Sequence, residues 1–153
     1  ITMGGIPKHH GFIGQLANEK GTLFVAPGAG KVFRVLENVI LLPHQSEFFH
    51  PDLVHAADAV VGKVGYSTLA EVYHAGVPFG YIKRTRFQES EILSEYIENY
   101  MTGFSIDERI FENGDWILRV PELLDQPSVT KEKRNGAEEA ADFVLKLLNG
   151  ASG

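Results

Sequence analysis

Residues 58–78 read DAVVGKVGYSTLAEVYHAGVP, and the fold is decided there. Ala59 to Val61 is a short apolar run of the kind a buried parallel strand shows. Gly62, Lys63, Val64, Gly65 and Tyr66 then form a turn, with glycines where a strand bends abruptly into a helix. Ser67 and Thr68 are placed to cap that helix, and Gly76 followed by Pro78 ends it. A helix start carries unpaired N–H groups and about half a positive charge, which suits a phosphate. Lys63 adds a full charge beside the turn, and Glu71 lies within reach of whatever the phosphate carries. The stretch predicts a nucleotide diphosphate site.

Working outward, apolar runs alternate with helical patterns. Leu23 to Ala26, Val39 to Leu42, Phe79 to Ile82 and Phe104 to Ile106 read as strands. Pro27-Gly28-Ala29-Gly30 reads as a plain turn after the first of them, because no helix with P-loop spacing follows it. Helices are expected from about Gly11 to Asn18, from Pro51, from a cap at Ser90, and over Asp115 to Leu124 with an interruption at Pro121. In the helix after Ser90, Ile92, Tyr96, Ile97 and Tyr100 share a face. Pro127 to Asn135 reads as a polar linker, and Ala137 to Leu148 as a closing helix with Ala140, Phe143, Val144 and Leu147 inward. Strand–helix alternation predicts an α/β fold, a parallel sheet with helices on both faces. Ligands of such sheets bind beyond the carboxyl ends of the strands. The loops expected at that rim are Gly4-Gly5, Pro43-His44-Gln45, Lys63 to Tyr66, and the basic Lys83 to Gln88 with Arg84 and Arg86.

The 153 residues fit one domain with a proper core, and 22% charged and 44% hydrophobic residues are ordinary for a globular protein. A formal charge of −6 argues against a nucleic-acid or anionic-membrane surface. With no cysteine, disulfides and thiolate metal sites are excluded, and a reducing, cytoplasmic setting is expected. No apolar run is long enough to predict a transmembrane segment. His9, His10, His44, His50 and His55 match no zinc spacing, so isolated roles are expected, with no metal and no cofactor. Ile1 to Met3 reads as the end of a strand already under way, so the chain is expected to be cut from a longer one.

Gly62 to Pro78 resembles the donor-binding C-terminal half of GT-B glycosyltransferases, near the peptidoglycan N-acetylglucosaminyltransferase type. The shared features are the glycine turn, a Ser/Thr at the helix start, a Glu on the helix and Gly-x-Pro at its end. From Phe49 to Ala140 the chain also resembles the glycosyltransferase-like region joined to plant arabinokinases, through HPDLVHAADAVVGKVGYSTLAE and YIKRTRFQESEIL. The resemblance implies a Rossmann-like half-domain that binds a nucleotide-diphosphate sugar, a UDP-sugar, opposite an N-terminal acceptor-binding half that carries the catalytic base. It implies that Gly4, Gly5, Gly65 and Thr68, with Ser67 beside them, approach the diphosphate. Glu71 would bind the ribose hydroxyls and Pro43, His44 and Gln45 would meet the uracil. Gln88 and Glu89 fall in the donor-sugar region. Tyr66 packs beside the turn or stacks on the ligand. Thr68-Leu69-Ala70-Glu71 also spells a capping box, so Glu71 has a purely structural alternative. The alternative for the whole chain is a non-catalytic, glycosyltransferase-like binding module associated with a sugar kinase.

Overall fold

The computed structural model describes residues 1–2, 11–83, 89–129 and 136–150. In chain order the elements are α1 (Ile13–Leu16), β1 (Phe24–Gly30), β2 (Arg34–Leu36), β3 (Val39–Pro43), α2 (His50–His55), β4 (Val60–Lys63) and α3 (Tyr66–Ala75). There follow β5 (Phe79–Ile82), α4 (Glu89–Tyr100), β6 (Gly103–Ile106), α5 (Glu108–Asn113), a 3-10 turn (Asp115–Arg119), α6 (Val120–Leu124) and α7 (Gly136–Gly150).

The strands form two three-stranded sheets, ordered β1-β3-β2 and β4-β5-β6. All pairings are parallel except β2 with β3. Residues 1–2 lie where the sheets meet. The Ile1 amino group donates to the Val25 carbonyl at 2.7 Å, the Thr2 N–H donates to the Val61 carbonyl at 2.8 Å, and Thr2 pairs in parallel with Gly62. Thr2 lies so close to β4 that a Cβ on Gly62 would collide with the Thr2 backbone. The result is a Rossmann-like, predominantly parallel surface whose carboxyl ends share one rim.

Alternate residues of the central strands enter different cores, which is the mark of a sheet covered on both faces. Val60, Phe79 and Tyr81 pack with Val54 of α2, Val72 of α3, and Leu93 and Ile97 of α4. Val61 and Ile82 face the other way, onto Phe12, Leu16 of α1, Phe111 of α5, Trp116 and Ile117 of the 3-10 turn, and Leu123 of α6. Phe12, Phe111 and Trp116 make a compact aromatic cluster with ring centroids 5.0 to 5.8 Å apart. Such pairs add about 0.5–1.5 kcal/mol each beyond the area they bury.

Several expectations are corrected. Pro27 to Gly30 is not a turn but the end of β1, carried on beside β3 with a bulge between Pro27 and Gly30. The hairpin strand β2 follows it, and Glu37 at φ 52 makes its tight return. Gly62 and Lys63 belong to β4 and only Val64 and Gly65 turn, so the helix begins at Tyr66 with Gly65 as its N-cap. Ser67 and Thr68 are inside the helix and no side chain caps it, so the capping box is absent. Ser90 is no cap either: α4 starts at Glu89, and Ser90, Leu93, Ser94 and Ile97 form its buried face. Of the face expected there, Ile97 is buried, whereas Ile92, Tyr96 and Tyr100 are exposed, and the Tyr96 and Tyr100 rings lie 4.9 Å apart. The helical stretch from Asp115 to Leu124 is divided near Pro121, into a 3-10 turn and α6, with Pro121 in the first turn of α6. In α7 no residue is buried, so Ala140, Phe143, Val144 and Leu147 do not point into this core. Residues 130–135 of the expected linker lie outside the described residues.

Candidate functional site at the carboxyl rim

The rim is built where β4 passes into α3. Gly65 is extended, with φ −167, and a Cβ there would meet nothing within 4 Å. Neither backbone conformation nor packing therefore requires glycine at this position. The first bond of α3 runs from the Leu69 N–H to the Gly65 carbonyl at 2.9 Å. The N–H groups of Tyr66, Ser67 and Thr68 precede it and have no acceptor within the helix. They lie with Gly65 at the positive end of a ten-residue helix. Lys63, half-buried, ends β4 beside it and makes no ion pair among the described residues. Tyr66 is exposed, so the ring is free to lie along a ligand and does not pack beside the turn.

Glu71 stands further along α3, half-buried, and its partner is His50. The His50 Nδ1 lies 2.6 Å from Glu71 Oε2, and His50 Nε2 lies 3.0 Å from Thr2 Oγ1. The individual role of His50, expected to lie outside any metal cluster, is this pair of side-chain hydrogen bonds. It escaped sequence reading because its partners are 21 and 48 residues away, and no local spacing reports such a contact.

The other predicted residues divide. Pro43 closes β3, and His44 and Gln45 follow it, exposed, at the same rim. Glu89 opens α4 beyond the end of β5, half-buried and with Glu91 in the same first turn. No bond joins Glu89 or His44 to the start of α3 among the described residues. Gly4, Gly5, Arg84 and Gln88 lie outside the described residues, as does Arg86. Lys83 is directed elsewhere: its Nζ is 3.5 Å from Glu98 Oε1 on α4. Glu98 also accepts the Tyr81 hydroxyl at 2.7 Å, and that bond, with Lys83 second, holds its carboxyl below the ordinary value. Burial, and then Glu98, raise the Tyr81 phenol, so it serves as a donor throughout the physiological range.

Exposed apolar side chains gather at this end of the molecule. Val32 and Phe33 lie in the β1–β2 connection, Phe48 and Phe49 precede α2, and Tyr66 starts α3. A cavity of about 530 Å³ lies elsewhere, between the starts of β1 and β4, lined by Leu23, Phe24, Leu53, Val60 and Trp116. Thr2 and His50 are among its lining residues. Among the described residues no cluster of His, Cys, Asp or Glu could hold a metal ion, and no helix is long and apolar enough to cross a membrane.

Fold and rim together define a Rossmann-like domain with a strand–turn–helix passage at the rim and a carboxylate further along the same helix. No family model matches the chain. It is similar to L-arabinokinase of Arabidopsis thaliana, 29% identical over 130 residues, which is 85% of this chain and 12% of that protein. Among solved structures it is similar to the glycosyltransferase SnogD from Streptomyces nogalater, with a TM-score of 0.48 and 22% identity over 94% of this chain and 42% of that one. The chain thus spans less than half the length of either.

Proposed function

We propose that this domain binds a UDP-sugar as the donor-binding half of a glycosyltransferase. The supporting observation is the start of α3, where the N–H groups of Tyr66, Ser67 and Thr68 have no acceptor within the helix, the Cβ position of Gly65 is open and Lys63 ends the preceding strand, with Glu71 further along the same helix. On this reading the diphosphate rests on the helix start, where charge and N–H donors meet it. The Glu71 carboxylate accepts from the ribose hydroxyls. Pro43 to Gln45 and Tyr66 flank the base, and Gly4, Gly5, Arg84, Gln88 and Glu89 complete the phosphate and sugar ends. Transfer needs an opposing half-domain for the acceptor and the general base, and the exposed Phe33, Phe48 and Phe49 supply apolar surface for it.

Calorimetric titration with UDP, UDP-sugars and inorganic pyrophosphate tests this reading. UDP is expected to bind more tightly than pyrophosphate, and Glu71→Gln is expected to abolish most of that difference. Equal affinity for both ligands in the unaltered chain would refute it.

Similarity to L-arabinokinase favours a second reading, a non-catalytic sugar-nucleotide module beside a sugar kinase. The two readings separate on transfer: a chain joined to an acceptor-binding half turns over a UDP-sugar in the first and only binds it in the second.

A further inference from the structure

We infer that His50 is a positioning residue that holds the Glu71 carboxylate ready for a ligand's diol; this rests on the sugar-nucleotide reading. Glu71 is a long side chain on a helix surface and, alone, would sample several rotamers. His50 removes that freedom from one side. Its Nδ1–H donates to Glu71 Oε2 at 2.6 Å, a short, charge-assisted bond. That fixes the tautomer, so Nε2 accepts from the Thr2 hydroxyl at 3.0 Å.

The far end of this chain of bonds is rigid. Thr2 is only 6% exposed, its N–H is held by the Val61 carbonyl, and it lies against Gly62 of β4. His50 itself opens α2 and is followed by Pro51, which limits the backbone there. Strand, imidazole and carboxylate therefore form one braced line from the sheet to α3. Glu71 Oε1 has no partner among the described residues and is left to accept from a ligand. Orientation of a ligating carboxylate by a second residue saves the ordering cost at the moment of binding.

The test is a double-mutant cycle read by calorimetry with UDP and, separately, inorganic pyrophosphate. His50→Ala should weaken UDP roughly five- to tenfold, leave pyrophosphate unchanged, and have no further effect in a Glu71→Gln background. His50→Asn, whose amide nitrogen stands where Nδ1 does, should restore UDP affinity to within about threefold. If Glu71→Gln weakens UDP but His50→Ala does not, the positioning role falls and the sugar-nucleotide reading survives. If Glu71→Gln leaves UDP affinity unchanged, the ribose role itself fails. Loss of UDP and pyrophosphate in equal measure would make His50 a purely structural residue and overturn the inference. Should His50→Ala not fold, Thr2→Val, which keeps the shape and removes the hydroxyl, must lower UDP affinity alone; an unchanged value overturns it equally.

Discussion

His50 and Glu71, on neighbouring helices, share a 2.6 Å hydrogen bond through Oε2, and Glu71 Oε1 has no partner among the described residues. The bond replaces the capping box that Thr68 and Glu71 spell in sequence. Thr68 lies in the first turn of α3, not at its cap, so Glu71 has no cap to complete. The structural alternative for Glu71 is therefore a tertiary contact, which among the described residues engages one of its two carboxylate oxygens.

Glu71→Gln should weaken UDP binding by about tenfold, the worth of a charge-assisted hydrogen bond of about 1.5 kcal/mol. Melting of the unliganded protein should fall only slightly, since the amide oxygen still accepts from His50. Calorimetry for affinity and scanning fluorimetry for melting check the two halves.

Gly65→Ala separates a fold glycine from a ligand glycine. The position is extended and its Cβ site is open, so the unliganded protein should lose less than about 1 kcal/mol on denaturant unfolding. Binding of both UDP and pyrophosphate should fall, because the methyl group takes up open space that the proposed diphosphate would occupy. Gly62→Ala should do the opposite. The Thr2 backbone occupies its Cβ site, so the substitution should destabilise the fold by about 1–3 kcal/mol.

Lys63→Ala should weaken UDP and pyrophosphate alike and flatten the salt dependence of both titrations. On the proposed reading its charge acts on the diphosphate, and salt screens that attraction over about 10 Å at 0.1 M. An effect on UDP alone would place Lys63 at the ribose or base.

Glu98 predicts an acid-side loss of stability. Its carboxyl is held below the ordinary 4.5 by the Tyr81 hydroxyl, with Lys83 second. A folded-state value lowered in this way contributes stability that is present above the unfolded value and disappears as pH falls through the folded one. The drop in melting temperature from about pH 5 to about pH 3 should be smaller in Glu98→Gln than in the unaltered chain. Melting curves across that range measure it.

The exposed face of α7 gives a contrast with the core. Phe143→Ser and Leu147→Ser should change stability by no more than about 0.5 kcal/mol, as neither side chain is buried. Trp116→Ala, which empties the centre of the aromatic cluster, should cost about 3–5 kcal/mol. Chemical denaturation distinguishes them.

Local chemistry determined much of this protein. The apolar run Phe79–Ile82 forms β5 with the bounds its hydrophobicity marks, and Gly76 ends α3 in the left-handed conformation that a glycine before Val-Pro announces. The alternation of strand and helix likewise carries the parallel, two-faced sheet, because each such unit can bury its apolar residues in few other ways. Tertiary structure decided what local pattern leaves degenerate. In α4 both Ile92-Tyr96-Tyr100 and Ser90-Leu93-Ser94-Ile97 repeat at helical spacing, and packing against Phe79 and Tyr81 selected the second. Pro27 to Gly30 reads as a turn by composition, yet β3 beside it supplied the pairing that keeps it a strand. The Thr2–His50–Glu71 line is the extreme case: it joins a residue bridged to β4 and two helices, and only the fold's long-range closure brings those three side chains within hydrogen-bonding distance.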